Sequence, residues 1–463
     1  MSFQSYGFLL LAGVTLAVCI PVARRSPGAG RALLTLACLV CYGLEDLRGI
    51  PVLLIGCAVT WWAVKKCRPV PAAVWHIAVL AVFKYTGFLT GGVISIGWAP
   101  VGLSFFTFQQ LWYLKEAAAG KYTPHSRDDL VLYAFFFPTV TSGPILRPQA
   151  FFPQIREGSF LHPSWDDAAA GLYAFTLGLA KKTLLADSFA SVVSNGWALG
   201  DRMTAPVAWA VILGYTLRLY FDFSGYCDMA TGLARLLGIR LPRNFDSPYR
   251  SLSVGDFWKR WHMTLTTFLR ECVYFPLGGS RGGVLRTCRN IFIVYLISGV
   301  WHGAGWTFIL WGLLHGLAQV GERLLGDRLD RVPKFLRWGL TFLFVNIAWV
   351  FFQAPDVGSA LQVLSAAVTG GGGLPADALA AGVFESELTA LETVLPGLAG
   401  ILSLAVLAGL FLAGMIAALW PRNLQDRMEA FQPTIWRAAG CAVLAVWSIL
   451  SFSGVPTFIY SNF

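Results

Sequence analysis

Charge is scarce in this chain. Only 13% of its 463 residues are Asp, Glu, Lys or Arg, whereas a soluble domain carries about 25%. That shortage excludes an ordinary water-facing surface. Long apolar runs of roughly 15–20 residues recur from end to end and identify a polytopic membrane protein. The first residues, "MSFQSYGF", lack Lys and Arg, so no classical secretory signal peptide is expected and the first helix is expected to stay. A disulfide framework is also missing. Of nine cysteines, Cys19, Cys38, Cys41, Cys57 and Cys441 lie in apolar runs. Cys38 and Cys41, within "TLACLVCYGL", read as small apolar residues on one helix face, and neither disulfides nor a zinc site follow. There is no 20–50-residue repeat and no separable soluble domain. Residues 1–463 read as one all-α integral-membrane domain of about ten or more segments. Several apolar runs are short, which predicts tilted, broken or re-entrant helices covered by protein.

What charge there is has a pattern. The net charge of +10 needs no nucleic acid, because membrane proteins collect Lys and Arg in cytoplasmic loops. "ARRSPGAGR" (23–31) and "KKCRP" (65–69) are basic, while "EDLRG" (45–49) between them is not. The alternation predicts an extracytoplasmic N-terminus. Residues 338–421 contain no Lys or Arg but five acids, Asp356, Asp377, Glu385, Glu387 and Glu392. "TGGGGLPADALAAGVFESE" within them reads as an outer loop. "PRNLQDR" (421–427) returns inward, a helix near 436–453 crosses outward, and the tail 454–463 is expected outside. The stretch 240–289 holds nine basic and three acidic residues and is expected in the cytoplasm.

Four stretches carry chemistry. In "ISGVWHGAGWTFILW" (297–311), His302 is an ionisable group in an apolar run. Such residues are expensive at membrane depth and mark function by default. The bland alternative is an interhelical hydrogen bond. Gly299, Gly303, Ala304 and Gly305 let backbone or ligand come close. His315 lies 13 residues on, which in one continuous helix is about 220° around, so the two imidazoles are expected to face apart. In "SVGDFWKRWHMTLTTFLREC" (253–272), Ser253 and Asp256 resemble a capping box. Apolar spacing predicts an amphipathic helix at the cytoplasmic interface, with His262 on or beside its apolar face. In "YFDFSGYCDMATGLARLLGIRLPRNF" (220–245), Asp222 and Asp228 need buried partners and read as a hydrogen-bond hub. "FFFPTVTSGPILRPQAFFPQI" (135–155) has four prolines and cannot be one helix. It reads as a broken segment at the membrane surface, with Arg147 free to meet lipid phosphate or an anionic ligand.

Together with "PVGLSFFTFQQLWYL", these stretches resemble the membrane-bound O-acyltransferase (MBOAT) family, and within it the bacterial alginate O-acetylation protein I-like branch. The resemblance is dense over about 100–317; the first hundred residues and 320–450 match only in hydropathy. After "LWYL" the family often has an acid and Tyr-Arg-Gly, where this chain reads "KEAAAGKY". The resemblance implies a ring of tilted helices around a thin core pierced by a tunnel. It implies His302, in Trp-His-Gly, as the catalytic histidine and His262, in Arg-Trp-His, as the second catalytic position. Asn244, Trp258, Arg260, Trp261 and Trp301 become candidates for the donor path. The terminal "FIYSNF" matches a tail pattern, with Phe458, Ile459, Tyr460 and Phe463 in place. This implies Tyr460 as an acyl carrier; by itself it is an interfacial aromatic.

The implied activity moves an acetyl or other acyl group from a cytoplasmic thioester, such as acetyl-CoA, to a hydroxyl of an extracytoplasmic polysaccharide. The site is the bacterial cytoplasmic membrane. No bound cofactor or metal is implied, and an extracytoplasmic partner acyltransferase is. The basic stretch 240–289 is a place for coenzyme A phosphates or for anionic lipid. D-alanyl transfer to teichoic acid and a glycan or acyl transporter are the rival readings. A transporter would show paired half-chain repeats, and none is evident.

Overall fold

In the computed structural model of the chain, residues 3–121, 126–156, 160–394, 397, 399–420, 423–452 and 459 are described. Every regular element among them is helical. Six helices are long and apolar enough to cross a membrane: Tyr6–Arg25, Pro27–Asp46, Pro69–Leu89, Val284–His302, Lys334–Gln353 and Gly400–Leu419. Three shorter apolar helices accompany them, Gly49–Lys65, Val357–Thr369 and Ile435–Leu450. The protein is an all-α polytopic membrane protein, as its hydropathy predicts. Ser26 shows how sharply the chain reverses between spans. Its Oγ accepts the Ala29 N–H at 3.4 Å, and Pro27 opens the next helix, where a missing N–H costs nothing.

At the centre runs Ala205–Leu236, a helix of 32 residues and about 48 Å at 1.5 Å per residue. It packs against Trp165–Ala180 along a glycine seam. Gly171 and Gly178 on one helix meet Gly232 and Gly225 on the other. A Cβ on Gly178 would stand 2.6 Å from the Gly225 oxygen, and one on Gly232 would stand 2.5 Å from the Gly171 oxygen. Each pair is spaced by seven, two turns along one face. The side chains that normally hold helices apart are absent here, so backbones touch.

Beyond the seam, Trp165–Ala180 widens into a π turn, Lys181–Ala186. There Lys181 pairs with Asp228 at 2.5 Å, and Lys182 with Asp222 at 2.9 Å and Asp187 at 2.6 Å. This is the hub expected around Asp222 and Asp228, with Lys182 and Asp222 buried and Lys181, Asp187 and Asp228 partly exposed.

A second glycine contact closes the hairpin of Val284–His302 and Trp306–Leu325. A Cβ on Gly299 would lie 2.5 Å from the Phe308 oxygen, and one on Gly312 2.5 Å from the Tyr295 oxygen. The chain therefore turns at Gly303–Gly305 instead of running on as one helix. His302 and His315 do not face apart: both rings lie against Trp311, at 4.7 and 5.0 Å between centroids.

Two other segments differ from expectation. Residues 253–272 form two short helices, Val254–Arg260 and Met263–Leu269, broken at Trp261 and His262. The Ser253 cap holds, accepting the Asp256 N–H at 2.9 Å. The apolar face, however, packs into the protein core and does not lie on lipid, with His262 wholly buried. The proline-rich segment is broken as expected, but it is buried from Phe136 to Phe137 and again at Ile145 and Leu146. Arg147 pairs with Glu271 and lies 3.9 Å from Glu116, over the Trp112 ring. Carboxylates, not lipid, hold it. The glycine-rich stretch 369–387 also contains a helix, Ala376–Ala380, with Leu379 and Ala380 buried.

The seam sets a test. Gly232→Leu should drive the central pair apart, an overpacking penalty of about 1–3 kcal/mol, and lower the thermal midpoint of the detergent-solubilised protein. Gly321→Leu, at a helical glycine with open space around it, should leave the midpoint nearly unchanged. Equal midpoints for the two variants would refute the seam.

Candidate active site

His302 is the last residue of Val284–His302. A helix end leaves carbonyls without partners, and inside a membrane protein they must be answered locally. Here two neighbouring side chains on Pro69–Leu89 do so. Tyr85 Oη donates to the Val300 oxygen and Lys84 Nζ to the Trp301 oxygen, each at 2.5 Å. A cation at a helix C-terminus also opposes its negative dipole end. The helix stops where Gly303 comes against Phe308; a Cβ there would meet the ring at 2.2 Å.

The imidazole is oriented by its own helix. His302 Nδ1 stands 2.7 Å from the Ser298 carbonyl oxygen. A carbonyl only accepts, so Nδ1 carries the proton. In the neutral ring Nε2 then keeps its lone pair, the form a general base requires. Trp301, Trp311 and Phe352 surround the ring edge-on, with centroids 4.7, 4.7 and 5.3 Å away. His302 lines a cavity of about 530 Å³ together with Lys84, Ser104, Arg218, Phe352 and Ile459.

Trp301 faces a different space. It lines an apolar cavity of about 740 Å³ with Leu80, Phe108, Phe268, Lys115 and Cys272. Its ring stacks on Phe108 at 4.8 Å. Leu80 lines both cavities. Consecutive residues at one helix end thus serve two chambers, an apolar one at Trp301 and a more polar one at His302.

His262 sits between the two short helices in a left-handed conformation, φ 43° and ψ 53°. For a residue with a Cβ that conformation costs roughly 1–2 kcal/mol. Asn244 holds it there. Asn244 Oδ1 accepts the Thr264 N–H at 3.2 Å and the Thr264 hydroxyl at 2.9 Å, and lies 3.2 Å from His262 Nδ1. Since Oδ1 accepts, His262 donates through Nδ1. Its ring meets Phe223 edge-on at 4.7 Å and lies 6.5 Å from Trp301. His262 and His302 therefore flank one tryptophan.

The other expected residues separate. Asn244 and Trp301 belong to this cluster. Trp258 donates its indole N–H to His315 Nδ1 at 3.1 Å and forms a neighbouring aromatic layer with Trp311, 5.7 Å away. Trp261 packs on Trp349 at 5.1 Å and Phe245 at 5.0 Å, a core role. Arg260 is occupied by Asp256 at 3.0 Å and Asp246 at 3.6 Å, apart from both cavities. Arg243 pairs with Asp426, so two of the basic residues of 240–289 have carboxylate partners within the protein. Tyr460 lies outside the described residues. Its chain neighbour Ile459 is described: it lines the His302 cavity, and its N–H donates to Asp222 Oδ2 at 2.8 Å.

Lys84 and Arg218 went unremarked in the sequence, although each is a charge in an apolar run, "VLAVFKYTGFL" and "VILGYTLRLYF". The rule that singles out His302 applies equally to them. Among the described residues no three His, Cys, Asp or Glu side chains gather as a metal-ligand group.

Comparison with known proteins places this site within a family. Residues 73–355 match the membrane-bound O-acyltransferase family. The chain is 35% identical over 394 residues to a peptidoglycan O-acetyltransferase of Helicobacter pylori, covering 74% of this chain and 75% of that one. It is 39% identical over 308 residues to a protein of Azotobacter vinelandii named "Probable alginate O-acetylase", covering 63% of this chain and 60% of that one. A teichoic acid D-alanyltransferase of Bacillus subtilis is 30% identical over 280 residues, 55% of this chain and 68% of that one. The matched span covers more than half of the chain and includes both His262 and His302: the chain belongs to the membrane-bound O-acyltransferase family.

Proposed function

We propose that this O-acyltransferase moves an acetyl group from a cytoplasmic thioester, acetyl-CoA in the first instance, to a hydroxyl of an extracytoplasmic polysaccharide, by way of an ester on Tyr460. The observation that carries the proposal is the position of His302, whose polar cavity also receives Ile459 of the tail and adjoins an apolar one at Trp301.

In this reading the first step is attack by the Tyr460 hydroxyl on the thioester carbonyl. A phenol near its ordinary pKa is a weak nucleophile, so His302 Nε2 takes its proton as the C–O bond forms. The tetrahedral intermediate collapses, the C–S bond breaks, and the thiolate recovers the proton from the imidazolium. In the second step a sugar hydroxyl attacks the tyrosyl ester and the phenol is restored. His262, held by Asn244 on the far side of Trp301, orients the donor. Lys84 positions His302 by fixing the last turn of its helix. An extracytoplasmic partner acyltransferase completes delivery to the polymer. The scarcity of Lys and Arg over 338–421 and the basic loops at 23–31 and 65–69 support extracytoplasmic termini in the bacterial cytoplasmic membrane.

Purified protein supplied with radiolabelled acetyl-CoA, without acceptor, should gain label on tyrosine, and label should then chase onto added glycan. Label that requires a D-alanyl carrier protein instead would favour the teichoic acid reading; ion-gradient dependence without acyl transfer would favour a transporter.

Three variants sharpen the proposal. General-base help is worth about 10²–10⁴-fold, so His302→Ala should lower transfer by that factor while inserting and purifying normally. Unchanged transfer by that variant would remove His302 from the chemistry. Tyr460→Phe should carry no acetyl-tyrosine by mass spectrometry and should transfer nothing to glycan. Lys84→Met leaves the Trp301 carbonyl short of a charged donor, a loss of about 1.5–3 kcal/mol. It should depress kcat by about tenfold or more with little change in KM for the thioester; the reverse pattern would make Lys84 a donor-binding residue.

A further inference from the structure

Asp222 lies in the middle of the central helix with 1% of its surface exposed. Its Oδ1 is 2.9 Å from Lys182 Nζ. Lys182 has a second carboxylate, Asp187 Oδ1, at 2.6 Å, and the other oxygen of Asp187 accepts from the Gln4 amide at 3.3 Å. One lysine is thus shared by two acids, and Asp222 is not required to neutralise it. Asp222 Oδ2 is turned elsewhere, to the backbone N–H of Ile459 at 2.8 Å. That contact joins positions 237 residues apart in the chain. A buried carboxyl oxygen demands a donor, and the donor it takes comes from the tail.

We propose that Asp222, backed by Lys182 and Asp187, is a positioning residue that clamps the C-terminal tail by its main chain and holds it in the His302 cavity. The inference rests on the reading of the tail as acyl carrier, since it names what presents that carrier. The clamp takes a backbone N–H and no side chain, so it sets the register at Ile459 without engaging a reactive side chain. Register is what the chemistry needs. Tyr460 follows Ile459 directly, and a slip of one residue would exchange it for Ile459 or Ser461. Lys182 serves the clamp indirectly: it fixes Oδ1, which leaves Oδ2 for the tail.

The test uses the full chain in detergent or lipid and reads amide hydrogen exchange of a C-terminal peptide containing Ile459, followed by tyrosine acylation from labelled acetyl-CoA. The tail amide should exchange slowly in the unaltered protein. Asp222→Leu should speed its exchange and slow tyrosine acylation by about tenfold or more, the effect of losing one charge-assisted hydrogen bond. Asp222→Asn, whose amide oxygen still accepts, should restore much of both. Should Asp222→Leu fail to fold, Ile459→Pro removes the donor while leaving the Asp222–Lys182 pair intact and should reproduce its effects, with Ile459→Leu as the control that keeps the N–H. A tail that exchanges freely in the unaltered protein, or an Ile459→Pro variant that acylates normally, would overturn the clamp. Protection that depends on Asp222 without any acyl-tyrosine would leave the clamp standing and refute the carrier reading instead.

Discussion

A polar group at membrane depth must be answered from inside the protein. This constraint governs both the core of the molecule and its site. Lys181 and Lys182 are adjacent in sequence, yet each finds its own aspartate on the central helix. They reach them where the helix opens into a π turn, a local widening often found where function interrupts regular structure. The same demand explains the end of the His302 helix. Its last carbonyls point into protein, and Lys84 and Tyr85 answer them from a neighbouring helix. His302 is therefore placed by the solution to a packing problem.

Close backbone packing makes that solution possible. Glycines on the central pair remove the side chains that would separate the two helices and bring Lys181 and Lys182 within reach of their aspartates. Gly299 and Gly312 do the same for the hairpin that carries His302. Without that contact the chain would continue past residue 302 as a regular helix. His302 would then be one more side chain on a helix wall, with no terminal carbonyls to fix and no turn to open a cavity beside it.

Much of this was legible in the sequence, and the gaps have physical causes. Hydropathy identifies the spans because length and apolarity are the properties a bilayer selects. His302 stands out because a lone imidazole in "ISGVWHGAGW" has no cheap explanation. Lys84 meets the same criterion but lies near the end of an apolar run, where a lysine commonly extends its ammonium to the interface. Only the fold reveals that its partner is the Trp301 carbonyl. The break at His262 was not legible. "FWKRWHMTLTTF" contains neither glycine nor proline and keeps a helical apolar spacing. The break is imposed from a distance, by Asn244 capturing Thr264 and facing His262. Propensity is local, and here a tertiary contact overrides it. Arg147 failed for a similar reason: the partners Glu116 and Glu271 lie far along the chain in opposite directions.

The adjacency of Trp301 and His302 gives this arrangement its functional logic. In the proposed transfer, donor and acceptor must meet at one atom without a continuous water path between their chambers. Two neighbouring residues at a helix end point in different directions, about 100° apart around the axis. One can therefore close an apolar chamber while the other lines a polar one. Trp301 is the larger apolar surface, stacked on Phe108 and within 6.5 Å of His262. His302 faces the cavity that Ile459 of the tail also lines. A histidine elsewhere on the helix could take a proton equally well, but it would lack the tryptophan wall beside it. The pairing in Trp-His-Gly thus sets an apolar wall beside an imidazole, and the glycine that follows ends the helix so that both stand at one place.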